Sequence, residues 1–156
     1  MRSTLSALLG VTLTAGCAGD VAAPRARFIE ITLAPTSVNA GQIGRATLVA
    51  VGDATEIAVW VSGVPPALVS RPVHLYTFLY RGSCANPGAE PAYSLTKHVL
   101  AQSPASSAIV PLSGPFSVTN LAPAPLDAIA RGPFALRVLT APADGNREIF
   151  CGDVGP

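Results

Sequence analysis

Residues 72–80 have the sequence PVHLYTFLY, and this stretch decides the fold. β-branched and aromatic residues dominate it, as they do in β-strands. A period of two assigns its side chains to two faces: Val73, Leu75, Thr77 and Leu79 on one, and His74, Tyr76, Phe78 and Tyr80 on the other. Both faces are largely apolar, which predicts a central strand that packs on one side and is covered by a loop on the other.

Further strand-like stretches lie on both sides of residues 72–80, and the 15 prolines and 14 glycines leave little room for helices. The other predicted strands are 27–33, 45–51, 55–63, 116–119, 134–140 and 147–154. The short Gly-Asp loop between 45–51 and 55–63 predicts a β-hairpin. Residues 81–91 are predicted as a loop and 126–130 as a single helical turn, whereas 92–114 is ambiguous between strand and helix. The pattern of about eight short strands predicts an all-β sandwich or flattened barrel.

Composition limits the function classes. The chain has 156 residues, of which 49% are hydrophobic and 12% are charged, with a net charge of +1. The hydrophobic content excludes disorder of the whole chain, and the length suits one domain with a real core. We find no basic patch, so nucleic acid is not an expected partner.

The N-terminus predicts a bacterial lipoprotein signal over residues 1–16. Arg2 precedes an apolar run that ends in Ala15-Gly16-Cys17. The run is too short for a permanent membrane helix, which takes about 20 apolar residues. We expect Cys17 to be the acylated first residue of a protein on the periplasmic face of a membrane in the cell envelope. An ordinary secretory signal with a chance cysteine is the alternative. Residues 17–26 are predicted as a tether and 27–156 as the folded domain.

Cys84 and Cys151 are the two remaining cysteines, and they form an even pair in an oxidising compartment. We predict a disulfide between them. The alternatives are two free thiols or a metal site. Without a Cys-x-x-Cys motif or a neighbouring histidine, the two cysteines make a poor metal set.

The order of these features resembles the copper/zinc superoxide dismutase family over most of residues 27–155. Cys84 follows the strand that contains His74-Leu75-Tyr76, and the chain closes with CGDVG at 151–155. The segment GPFALRV at 132–138 is similar to a late strand of the family. The resemblance implies an eight-stranded Greek-key barrel, in which one disulfide joins a long loop to the start of the last strand.

The chain departs from this family at the metal ligands. The family holds copper with four histidines, and zinc with histidines and an aspartate, whereas this chain has only His74 and His98. Tyr76 stands at the second position of the family's His-x-His strand, and Leu139 or Thr140 stands where a later copper histidine is expected. The resemblance therefore implies a degenerate member that has lost its catalytic copper and its dismutase activity.

We find no other complete catalytic motif in the sequence. It has no Gly-x-Ser-x-Gly elbow and no glycine-rich phosphate loop. We expect a non-catalytic envelope protein without a cofactor, with a binding or structural role toward an unknown envelope protein or small ligand. The alternative is a superoxide dismutase-like metalloprotein or a copper-binding or copper-delivery protein, for which His74, Tyr76 and His98 are the candidate ligands.

Overall fold

The computed structural model describes residues 27–102 and 114–155. Within these ranges the chain forms eight antiparallel strands and one short α-helix, which confirms the predicted all-β fold. The predicted signal, the lipidated Cys17 and the tether lie outside the described residues. The elements are β1 (Phe28–Pro35), β2 (Gly44–Val51), β3 (Ala54–Val61), β4 (Tyr76–Gly82), β5 (Pro87–Leu95), β6 (Phe116–Ala122), α1 (Leu126–Arg131), β7 (Phe134–Leu139) and β8 (Glu148–Asp153).

The eight strands form one curled sheet in the order β5-β4-β7-β8-β1-β2-β3-β6. β1, β2 and β3 are neighbours in the sheet as they are in the chain. The pairs β3–β6, β4–β7 and β1–β8 instead join strands that are far apart in the chain. Such long connections between neighbouring antiparallel strands are typical of Greek-key folds.

The hairpin between β2 and β3 follows the prediction closely. Val51 pairs with Ala54, so only Gly52 and Asp53 connect the two strands. Gly52 has a φ of 58°, a conformation that glycine adopts without the steric cost that other residues meet. The Gly-Asp dipeptide therefore fixes the register of the hairpin.

The decisive stretch behaves as its alternation predicts. Thr77 and Leu79 of β4 are buried against the core, and Tyr76, Phe78 and Tyr80 on the opposite face are half-buried. β4 begins at Tyr76, later than predicted, but 73–75 continues in the same direction and pairs with 99–101. The core contains side chains from both halves of the sheet, including Leu33, Leu48, Ile57, Leu79, Leu95, Leu136, Ile149 and Phe150.

The prediction of a loop over residues 81–91 was wrong in its second half. β5 begins at Pro87 and also includes Pro91. This strand lies at one end of the sheet and pairs with β4 alone, so its other edge does not require backbone donors. Proline is tolerated on edge strands for this reason. The predicted helical turn at 126–130 is confirmed by α1.

The predicted disulfide is present in the structure. Cys84 and Cys151 are bonded, with 5.9 Å between their Cα atoms and a sequence separation of 67. Two hydrogen bonds also hold the loop that contains Cys84. The backbone N–H of Cys84 donates to Asp153 Oδ1 at 2.7 Å, and the backbone N–H of Gly82 donates to the Pro133 carbonyl at 2.8 Å. The disulfide thus joins the loop after β4 to the last strand.

Candidate functional site

β6 pairs with β3 along its whole length on one side, but only in part on its other side. On that outer edge, Ser117 and Gln102 exchange two backbone hydrogen bonds of 2.8 Å each. Residues 98–102 run antiparallel to β6 from this point, and they also pair with 73–75 on their far side. The contact between β6 and 98–102 is therefore the place where the curled sheet closes on itself.

Beyond Ser117, the outer edge of β6 has backbone groups that pair with none of the described residues. Alternate residues of a strand direct their N–H and C=O groups to the same edge, so Thr119 and Leu121 face outward as Ser117 does. Within residues 27–102 and 114–155, no residue pairs with their backbone on that side. His98 and Gln102 both direct their backbone groups toward β6. Leu100 alternates with them in the same way, so its backbone groups face the same gap.

A single side-chain amide joins the two segments at the far end of the gap. Asn120 is only 4% exposed. Its Oδ1 accepts from the His98 backbone N–H at 2.8 Å, and its Nδ2 donates to the His98 carbonyl at 2.7 Å. The amide takes the place of a paired backbone, and it holds 98–102 against β6 without closing the gap between them.

The gap forms a groove of about 780 Å³, which we call the β6 groove. Leu100 and Leu121 are 55% and 54% exposed on its walls, so both contribute accessible apolar surface to the groove. One carboxylate and two basic side chains lie around it. Its lining comprises Glu56, Lys97, His98, Val99, Leu100, Gln102, Ser117, Val118, Thr119, Asn120 and Leu121. Its volume is in the range of ligand clefts.

Two of the three candidate metal ligands, His74 and His98, lie at or beside this groove. His74 pairs directly with Leu100, and His98 is two residues from Leu100 on the same face. Such diagonal neighbours have Cα atoms about 7–8 Å apart. His74 and Tyr76 are half-buried, whereas His98 is exposed and lines the groove. The structure thus brings the two histidines to neighbouring positions.

No third ligand joins the two histidines in the described part of the chain. Among those residues, no group of three or more His, Cys, Asp or Glu side chains could hold a metal ion. Leu139 and Thr140, which stand where the resemblance implies a copper histidine, are 7% and 0% exposed, and Leu139 pairs with Tyr76. Two imidazoles fill only two coordination positions of a metal ion, so the remaining positions need other ligands.

An ion pair lies where the described chain begins. Both guanidinium nitrogens of Arg27 donate to the carboxylate of Asp127 on α1. The hydrogen bond from Arg27 lowers the pKa of Asp127 below its ordinary value of 3.8, and burial opposes that change. The pKa of Arg27 is raised by the same hydrogen bond. The pair fixes the start of β1 to α1 at the surface.

Apart from His98, the residues of the groove do not stand out in the sequence: the predicted strand ended at Thr119, before Asn120. A signal was present in the alternation of the strand. Phe116, Val118 and Ala122 are apolar and buried, and Asn120 occupies the same face. A polar residue in a buried register position requires hydrogen-bond partners, so Asn120 indicated a specific contact.

Comparison with known proteins found no match to the chain among family models, curated proteins or solved structures. None of the helices in the described ranges is long and apolar enough to cross a bilayer.

Proposed function

We propose that this chain is a lipid-anchored protein of the bacterial cell envelope that binds a partner protein at the β6 groove and catalyses no reaction of its own. The proposal keeps Cys17 as the lipidated residue and the domain as a degenerate relative of copper/zinc superoxide dismutase. The strand order supports the second part, because it is that of a Greek-key fold. The disulfide supports an oxidising compartment such as the periplasm.

The observation that carries the binding role is the edge of β6 that pairs with no other residue of the described ranges and lies in a groove walled by Leu100 and Leu121. An extended peptide that adds to a sheet edge gains main-chain hydrogen bonds, and side-chain pockets beside the edge give specificity. Thr119 and Leu121 supply the backbone groups, and Leu100 and Leu121 supply the apolar walls. Three to four residues of an extended segment span the roughly 13 Å from Ser117 to Leu121. The ligand is therefore a short extended segment with apolar side chains.

The test is NMR titration of the ¹⁵N-labelled protein with a panel of five-residue apolar peptides. We expect shift changes at the amides of Leu100, Thr119 and Leu121, and none in β8. The matched control is each binding peptide methylated at alternate backbone nitrogens, which keeps its side chains but removes donors. Loss of binding on methylation supports strand addition. Equal binding of the two forms, or shift changes confined to other strands, would contradict it.

The anchor has its own test, which is the intact mass of the chain purified from membranes. A diacylglycerol and acyl addition on Cys17, absent from a Cys17→Ser variant that leaves the membrane fraction, is the expected result. An unmodified chain that begins after a conventional signal cleavage would contradict the anchor. It would leave the groove proposal untouched.

A second candidate function is metal binding by His74 and His98, and their diagonal position on one face is the observation that favours it. Titration calorimetry with Cu²⁺ distinguishes it from the first. A metal-binding role predicts that His74→Ala and His98→Ala each weaken binding at least tenfold, whereas Tyr93→Phe does not. Binding of Cu²⁺ by the His74→Ala variant as tightly as by the parent protein would eliminate it.

A further inference from the structure

A small apolar patch lies at the point where the tether enters the domain. Phe28 is the first residue of β1 and is 62% exposed. It pairs with half-buried Val49 on β2, and Val51, two residues further along the same face, is 49% exposed. We call these three residues the tether patch.

We propose that the tether patch rests on the lipid bilayer and fixes the orientation of the domain on the membrane. The inference depends on the proposed lipid anchor at Cys17. Ten residues separate Cys17 from Phe28, so the start of β1 lies no more than about 40 Å from the anchored residue even if the chain between them is fully extended. The patch thus lies where the chain from the proposed anchor enters the domain, within reach of the membrane.

A tether of this length makes a weak contact effective. Once the lipid is inserted, the contact between the patch and the bilayer is intramolecular. The effective concentration of bilayer at the patch is then high, even if the free domain has no affinity for membranes. Apolar side chains that enter the boundary between headgroups and acyl chains gain free energy in proportion to their buried apolar area. Phe28 and Val51 are among the most exposed large apolar side chains of the described residues.

The charges around the patch favour apolar insertion over electrostatic attraction. They are of both signs: Arg27, Arg131, Glu30, Asp53, Glu56 and Asp127. A polybasic surface would select anionic lipids, whereas a surface of mixed sign does not. The contact should therefore form equally on zwitterionic vesicles. The β6 groove lies beside the patch on the same face: its lining residue Glu56 pairs with Val49, and Leu121 lies three strands away from Phe28 in the same row, at about 14 Å.

The test uses the lipidated full-length chain in phosphatidylcholine vesicles, with and without brominated acyl chains, in a Trp60→Phe background that removes the natural tryptophan. The probe variant is Phe28→Trp and the matched control is Ile43→Trp. Ile43 is 65% exposed and precedes the opposite end of β2, about 25 Å from Val51. We expect Phe28→Trp to lose most of its emission to the bromines and to shift to the blue, and Ile43→Trp to show neither change.

The other outcomes separate the possible failures. A blue shift of Phe28→Trp without quenching by bromine means that a second copy or another protein covers the patch, and it overturns the bilayer contact. Equal, water-like emission from both variants overturns it as well. An intact mass without lipid on Cys17 refutes the anchor, and this inference with it, before any fluorescence is measured.

Discussion

The disulfide side of the domain and the β6 groove are two parts of the same sheet that are held together in different ways. On the disulfide side, β7 pairs with both β4 and β8, and a covalent bond joins Cys84 to Cys151. At the groove, one backbone bridge at Ser117 and the amide of Asn120 hold 98–102 against β6. On the disulfide side β7 is paired along both of its edges, whereas β6 pairs with other described strands along one edge and only in part along the other.

Packing follows the same division. A Cβ added at Gly152 of β8 would lie 2.6 Å from the carbonyl oxygen of Thr32, so the backbone segments already touch there. At the groove, Leu100 and Leu121 remain more than half exposed although they are apolar. The domain therefore combines a closely packed disulfide side with a groove that leaves apolar side chains accessible.

Removing the disulfide should have the largest effect on stability. In the Cys84→Ala/Cys151→Ala double variant, the free energy of unfolding should fall by about 4 kcal/mol, because the closed loop is long and its restraint on the unfolded chain is lost. Urea unfolding of the oxidised parent and the variant measures this change. Replacing both cysteines avoids a free thiol in the variant.

Structural changes in this double variant should be confined to the disulfide side of the domain. The amide shifts around the β6 groove should stay unchanged in the folded double variant, since the disulfide lies on the other side of the sheet. A loss of stability below about 1 kcal/mol would show that the remaining contacts, and not the crosslink, hold the disulfide side together.

Asn120→Ala should have the next largest effect, a loss of about 2–3 kcal/mol, because two hydrogen bonds are removed and the backbone of His98 loses its partner. The matched control is Asn39→Ala. Asn39 is equally buried at 3% exposure, but its side chain makes one long bond of 3.4 Å to the Gly63 carbonyl. Chemical denaturation of both variants compares them.

Local opening distinguishes a specific effect of Asn120 from general destabilisation. In Asn120→Ala, the amides of Leu75 and Ala101, which bond to Val99 and Val73, should exchange faster than those of β8. Equal losses of stability in the two asparagine variants would contradict the special role of Asn120.

Asp127→Asn should have the smallest effect, visible only in its dependence on pH. The pKa of Asp127 is lowered in the folded protein, first by the hydrogen bond from Arg27. Its contribution to stability is therefore fully present above the unfolded value near 3.8 and is lost as the pH falls through the lowered folded value. Because the pair is exposed, salt should weaken the effect.

The measurement is the difference in unfolding free energy between the parent and Asp127→Asn, followed from neutral to acidic pH. The difference should shrink in acid and should also shrink at neutral pH in high salt. A difference that grows as the pH falls has the wrong sign and would refute the assignment.

Local patterns in the sequence were sufficient for much of the fold. The alternation of 72–80, the Gly52-Asp53 hairpin and the turn at 126–130 depend on neighbouring residues, and each is found in the structure. The strand that begins at Pro87 was missed. Proline is tolerated in a strand at the edge of a sheet, but which strand lies at the edge depends on the whole fold and not on neighbouring residues.

The candidate site was harder to predict, for a related reason. The β6 groove forms between segments that the sheet brings together through long connections, and its accessible groups are backbone atoms, which carry no residue signature. His74 and His98 were predicted as candidate ligands from their side-chain chemistry. Their neighbouring positions follow only from the pairing of His74 with Leu100 in the structure.

The most direct measurement of the central claim is amide hydrogen exchange along β6 in the free protein. The account predicts alternation: slow exchange at Val118 and Asn120, whose N–H groups face β3, and fast exchange at Thr119 and Leu121, whose N–H groups face the groove. Uniformly slow exchange at all four amides would mean that the outer edge of β6 is already paired, and it would contradict the groove as a site for strand addition.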